Sequence, residues 1–68
     1  MKFVRKTKWG NVICNDVIIS YEQKLNRIET EKAELSWHDA RTVLLDIEWM
    51  QTANAIQQEL IKLNPQAN

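Results

Sequence analysis

Gly10 and Pro65 are the only glycine and the only proline in this 68-residue chain, so the long stretch between them contains no strong breaker of regular structure. Glycine and proline are the residues that most often interrupt helices and strands. The stretch from Ser20 onward therefore predicts helix. Its start is marked by the sequence Ser20-Tyr21-Glu22-Gln23, which fits a capping box with Ser20 as the N-cap.

A second helix-start signal divides this helical stretch. Ser36 is followed by Trp37-His38-Asp39, which predicts a second N-cap with an acidic side chain in the first turn. We therefore expect one helix over residues 20–35 and a longer one over residues 36–63. A single continuous helix over residues 21–63, about 64 Å long, is the alternative. Asn64-Pro65 ends the last helix and predicts a frayed tail over residues 64–68.

The first 19 residues predict a β-hairpin. The runs KFVRKTKW and VICNDVII flank Gly10-Asn11, and glycine followed by asparagine is typical of a two-residue type II′ turn. This turn predicts four cross-strand pairs: Trp9 with Val12, Thr7 with Cys14, Arg5 with Asp16, and Phe3 with Ile18. The expected fold class is α+β, with an N-terminal antiparallel β-hairpin over residues 1–19 and then two α-helices. We expect residues 1–68 to form a single domain.

The second helix carries apolar side chains on two sides, which predicts two neighbours. At 100° per residue, one side gathers Trp37, Ala40, Val43, Leu44, Ile47 and Met50. We expect the hairpin and the first helix to cover that side. The other side has no evident cover within so short a chain, and an uncovered apolar stripe would exceed what monomers usually expose. We therefore expect a homodimer whose interface comprises Leu45, Trp49, Ala53, Ile56, Leu60 and Leu63.

Charge is distributed unevenly although the net charge is zero. Residues 1–8 carry four basic side chains and no acidic one, whereas the remaining 60 residues carry five basic and nine acidic ones. Lysines on an edge strand commonly protect it against aggregation. The alternative is that the basic strand contacts phosphates or an acidic partner. The candidate contact residues for a protein or nucleic-acid partner are Lys2, Arg5, Lys6, Lys8 and Trp9.

Residues able to support catalysis are few. Cys14 and His38 are the only cysteine and histidine, which excludes an internal disulfide and leaves too few ligands for a typical zinc site. A single glycine excludes phosphate-binding loops. We therefore expect no enzyme activity, no cofactor, no metal and no small-molecule substrate. No run is apolar enough for a membrane span or a signal peptide, so we expect a soluble, cytoplasmic protein.

These features favour a small non-enzymatic protein-interaction module, a regulator or inhibitor that binds a host or cellular protein. In size and style it is similar to the small regulatory proteins of phages and mobile elements, an analogy with no motif behind it. The alternative is a nucleic-acid-binding regulator that uses the basic N-terminal hairpin. The sequence does not identify the partner.

Overall fold

The computed structural model describes residues 1–65, which form two strands and then two helices. The elements are β1 (Lys2–Thr7), β2 (Gly10–Asn15), α1 (Asp16–Ala33) and α2 (Ala40–Leu63). The strands pair as an antiparallel hairpin, the helices pack against each other, and β2 contacts both helices. The α+β class and the presence of two helices instead of one are therefore confirmed. The molecule is elongated, 42 × 22 × 17 Å, because α2 alone is about 36 Å long.

The hairpin turn lies two residues earlier than expected. Thr7 pairs with Gly10, so the turn consists of Lys8 and Trp9, and every pair of the predicted register is wrong, that of Trp9 with Val12 included. Types I′ and II′ need a positive φ within the turn, and they are excluded because every non-glycine residue described has a negative φ. Gly10 directly follows the turn and has a φ of +117°. The Thr7 hydroxyl reinforces this geometry: it donates to the Gly10 carbonyl (2.6 Å) and accepts from the Trp9 amide (3.2 Å).

Strand β2 is shorter and α1 longer than the sequence pattern predicts. Residues 17–19 are β-branched and were expected in the strand, but they form the start of α1. Asn15 causes the change, because its side chain accepts a hydrogen bond from the Ile18 amide (3.1 Å) and so caps the helix. Ser20 is therefore not the N-cap; its hydroxyl donates to the Asp16 carbonyl inside the helix.

Residues 34–39 connect the two helices. This connection includes the position at which the sequence predicts the break. Asp39 is the N-cap of α2 and accepts from the Arg41 amide (2.9 Å), so the predicted cap at Ser36 is wrong. The Ser36 hydroxyl is instead hydrogen-bonded to the His38 ring. Trp37 lies in the connection and not on the helix.

The end of α2 is hydrogen-bonded to the hairpin through Asn64. The prediction of a frayed tail over residues 64–68 is therefore wrong at Asn64. The Asn64 amide nitrogen donates to the Ile13 carbonyl (3.0 Å), and its oxygen accepts from the Ile13 amide (2.9 Å). These two bonds satisfy polar groups at the open edge of β2. Residues 66–68 of the predicted tail lie outside the described residues.

The buried apolar core is small and lies where the hairpin meets the helices. Cys14, Ile18 and Ile28 are its buried apolar members, and Thr52 is the buried polar one. The Thr52 hydroxyl donates to the Glu48 carbonyl one turn earlier, so its burial leaves no unpaired group.

The side of α2 that packs inside the chain is the opposite of the one expected. The stripe assigned to a homodimer interface is half-buried beside Thr52, and Trp49 donates its indole N–H to Glu29 of α1 (3.2 Å). The stripe comprises Leu45, Trp49, Ala53, Ile56, Leu60 and Leu63. The premise that it lacks a cover within the chain is therefore wrong. The side expected to be covered faces solvent instead.

Candidate functional site

The hairpin presents a cluster of exposed basic and aromatic side chains, which we call the basic hairpin surface: Lys2, Lys6, Lys8 and Trp9. The register sets Lys2 and Lys6 on the outer face of β1, opposite Asn15 and Asn11. Lys8 and Trp9 form the turn. The inner face, which includes Cys14, packs toward the helices.

The lysines of the basic hairpin surface differ in their ion pairing from those that join the two helices. Among residues 1–65, none of them forms an ion pair, whereas Lys24 pairs with Glu48 (3.6 Å) and Lys32 with Asp46 across the two helices. Their ammonium groups therefore remain available to an external anion or carboxylate.

Arg5 does not belong to this surface. It lies on the inner face, half-buried, and its guanidinium donates to Glu22 of α1 (2.7 Å). This hydrogen bond raises the pKa of Arg5. The predicted pair with Asp16 is wrong, because Asp16 contacts the N-terminal amine (3.2 Å). Arg5 thus holds the hairpin on α1 instead of facing a partner.

Trp9 is the most unusual member of the basic hairpin surface. It is 87% exposed, although tryptophan is a large, mainly apolar side chain that usually finds a partner. The Lys8 ammonium lies 5.4 Å from the centre of its ring, a cation–π contact at the turn. Trp9 is therefore available to anchor another molecule.

A second exposed surface runs along the solvent side of α2, and we call it the outward face. Its apolar centre is widely exposed: Val43 by 60%, Leu44 by 66%, Ile47 by 49% and Met50 by 61%. None of its residues is charged, although all are exposed. By contrast, the exposed side of α1 carries charged residues such as Arg27 and Glu31. The outward face comprises Ala40, Val43, Leu44, Ile47, Met50, Gln51 and Asn54.

The groups most able to perform chemistry lie apart from each other. Cys14 is 1% exposed inside the core, and His38 is exposed in the connection, where its ring makes an edge contact with Trp37. Nowhere in residues 1–65 do three metal-ligating side chains of the His, Cys, Asp and Glu type come together. A shallow depression beside the connection is lined by Glu31, Glu34, Leu35, Arg41, Leu44 and Leu45.

Asp39 has the largest change in acidity. Hydrogen bonds from the Arg41 side chain (2.8 and 3.1 Å) and backbone lower the pKa of Asp39 to about 2. The Asp39 carboxylate and the Arg41 guanidinium bond to each other at the N-terminus of α2, so this pair has a structural role.

Comparison with known proteins identifies no relative: no family model, no curated protein and no solved structure matches this chain. Within residues 1–65, neither helix combines the length and the apolar content needed to cross a bilayer.

Proposed function

We propose that the protein is a small non-enzymatic interaction module that binds an acidic surface of a partner protein through the basic hairpin surface. The observation that carries the proposal is the exposed Trp9 among three lysines that form no ion pair within residues 1–65. Tryptophan is enriched among the few residues that dominate binding energy at protein interfaces. Charged residues at the rim of such an interface accelerate association with a partner of opposite charge.

The hairpin is anchored in a way that favours binding. Arg5 bonds to Glu22 of α1, Asn15 to Glu59 of α2 (3.1 Å), and Asn64 to Ile13. Because both helices hold the hairpin, its outer face and turn are ordered before a partner arrives. A preformed surface loses less conformational entropy on binding.

The test uses affinity capture from the source cell after nuclease treatment, with matched variants of the bait. Lys2→Glu/Lys6→Glu should lose the captured protein, whereas Arg27→Glu reverses a charge at an exposed site of α1, in the half of the molecule away from the hairpin, and should keep it. Trp9→Ala should also lose the partner. Trp37→Ala is its control, since Trp37 is 88% exposed in the connection. Equal capture by all four variants contradicts the proposal.

Binding of a nucleic acid by the same surface is the second candidate function. The observation that favours it is the Lys8 ammonium beside the exposed Trp9 ring, because single-strand binders combine base stacking on aromatic rings with phosphate contacts. Three lysines would give a logarithmic salt dependence with a slope of about −2 to −3. Fluorescence anisotropy with a labelled single-stranded oligonucleotide at several salt concentrations measures this slope. Retention of the oligonucleotide by Lys2→Glu/Lys6→Glu would contradict this candidate.

A further inference from the structure

We infer that the partner binds as an extended acidic segment, which adds a third strand to the sheet along the open edge of β1. This inference rests on the proposed function, because it uses the lysines of the basic hairpin surface, and it specifies the conformation and the charge of the segment that they bind. The direction of the β1 backbone groups, the cover already present on β2 and the lysines along β1 together support this mode of binding.

The backbone groups of Val4 point away from β2. Val4 lies opposite Ile13 in the hairpin, and the Ile13 amide and carbonyl bond to the Asn64 side chain on the far edge of β2. In an antiparallel pair, two opposite residues either exchange both hydrogen bonds or direct their groups away from each other. Val4 therefore directs its N–H and C=O outward. Lys2 and Lys6 do the same, because this pattern repeats every second residue.

The two edges of the hairpin differ in what covers them. Both helices pack against β2, and Asn64 occupies the backbone groups of Ile13 there. Within residues 1–65, no group outside the hairpin bonds to the N–H or C=O of Lys2, Val4 or Lys6. A row of unpaired N–H and C=O groups on an exposed strand is a template for another strand. An extended peptide can therefore add to the sheet at β1 by β-augmentation.

The side chains along this edge favour an acidic segment. Lys2 and Lys6 are exposed and form no ion pair among residues 1–65. Val4 is 66% exposed and lies between them on the same face of β1. Opposite charges on directly facing residues of neighbouring strands stabilise the pairing. A segment with acidic, apolar and acidic side chains at alternate positions would therefore match this edge.

The same charges disfavour a second copy of this chain as the added strand. Two antiparallel β1 strands centred on Val4 would place Lys2 of each copy opposite Lys6 of the other. Like charges directly opposite each other are destabilising, and lysine on an edge strand commonly prevents such pairing. The lysines therefore favour an acidic strand and oppose a copy of β1 itself.

Titration of the isotope-labelled protein with a synthetic peptide, followed by NMR, tests strand addition. The probe is Thr-Glu-Thr-Val-Thr-Glu-Thr, which should shift the amide resonances of Lys2, Val4 and Lys6. A strand presents alternate N–H groups to its neighbour, so N-methylation at one of two successive probe residues should weaken binding and at the other should not. The sensitive residue is the central valine in antiparallel addition and the threonine after it in parallel addition. The expected loss is about tenfold, the equivalent of one hydrogen bond.

Variants of the protein give a second measurement with the unmethylated probe. Val4→Pro removes the central N–H of the open edge, where proline is tolerated because that N–H does not bond to β2. It should weaken binding about tenfold relative to Val4→Ala, which shortens the same side chain and keeps the N–H. Circular dichroism verifies that both variants are folded, and the methylated peptides give the answer even if Val4→Pro is not. Equal binding by the two folded variants overturns the inference.

Other results that overturn the inference come from the peptides. They are the absence of probe binding to wild type, equal affinity of the two methylated peptides, and equal binding of a probe with lysine in place of glutamate. An oligonucleotide that shifts these amides when the acidic probe does not would also overturn it. Failure of the proposed function is a different result. A partner captured through Lys2 and Lys6 but unaffected by Val4→Pro would exclude strand addition and leave the proposed function standing.

Discussion

Asn15 and Asp39 begin the two helices by accepting hydrogen bonds from amides that the first helical turn would otherwise leave unpaired. Single polar side chains therefore set the residue at which each helix begins. Asn15 has two partners, because its amide nitrogen also donates to Glu59 of α2. One side chain thus ends a strand, begins a helix and fastens that junction to the second helix.

The first prediction distinguishes the observed cap from the one expected from the capping-box pattern. Asn15→Ala should lower the free energy of unfolding by about 1 kcal/mol, because the Ile18 amide loses its acceptor. Ser20→Ala should cost little, since Ser20 lies inside α1 and alanine is the best helix former. Urea denaturation of both variants measures the difference. A larger cost for Ser20→Ala would contradict the assignment.

The second prediction concerns the backbone at Gly10. A Cβ added there would meet no atom within 4 Å, so any cost of substitution comes from its φ of +117° and not from a clash. Gly10→Val should cost about 1–3 kcal/mol. Asn11→Val is the control: Asn11 lies in β2 with a negative φ, where valine is well tolerated. Thermal melts that rank the two variants in reverse would show that the turn is misassigned.

The third prediction is a pH dependence from Asp39, whose pKa is lowered to about 2 by Arg41. Its unfolded pKa is about 3.9, so the folded state favours the charged form. The stabilisation is complete above about pH 4 and is lost as the pH falls through 2. Asp39→Asn retains a capping oxygen but cannot titrate. Wild type should therefore lose more stability than this variant between pH 4 and 2, measured by urea denaturation. An equal loss of stability in wild type and Asp39→Asn over this pH range would contradict the prediction.

At the scale of elements, a few polar contacts hold the hairpin on the helices. The Asn64 side chain pairs with Ile13 as a neighbouring strand would, so α2 closes one edge of the sheet with a single residue. Because a two-stranded hairpin alone is marginally stable in water, this contact and the Arg5–Glu22 pair matter more than their exposure would suggest.

The fourth prediction tests this closure. Asn64→Ala removes both bonds to Ile13 and should cost about 1–2 kcal/mol. The Ile13 amide should then exchange with solvent faster, which hydrogen exchange by NMR detects. Gln58→Ala changes an exposed amide six residues earlier, where no such contact exists among the described residues. Unchanged protection of Ile13 in Asn64→Ala would mean that the contact is not maintained in solution.

At the scale of the whole molecule, α2 has two long apolar sides, and only one of them is covered by the rest of the chain. One packs against α1, fixed by Thr52 and the Trp49–Glu29 bond, and the other faces water. The elongated shape, with three buried apolar side chains among residues 1–65, leaves little core per residue. Stability at this scale should therefore depend on what covers the outward face.

The α+β class, the two helices with a break near Leu35–Ser36, and the sorting of strand side chains onto two faces were predictable from the sequence alone. The two faces were predicted correctly although the turn was not. In the observed register each residue of β1 faces a residue four positions earlier than predicted, and an even shift keeps every side chain on the same face because a strand alternates with a period of two. The basic hairpin surface was predictable except for Arg5, since exposed lysines follow directly from the local pattern.

The remaining features depend on contacts between elements that lie far apart in the sequence. Residues 17–19 are β-branched and favour a strand, but the Asn15 cap and the burial of Ile18 place them in a helix. The two sides of α2 contain the same kinds of apolar residues, so their composition cannot say which is covered. That choice depends on the rotation of α2 about its own axis. The rotation is set by Thr52 in the core and by bonds from α1 to Trp49, Glu48 and Asp46, contacts that exist only once both helices are in place.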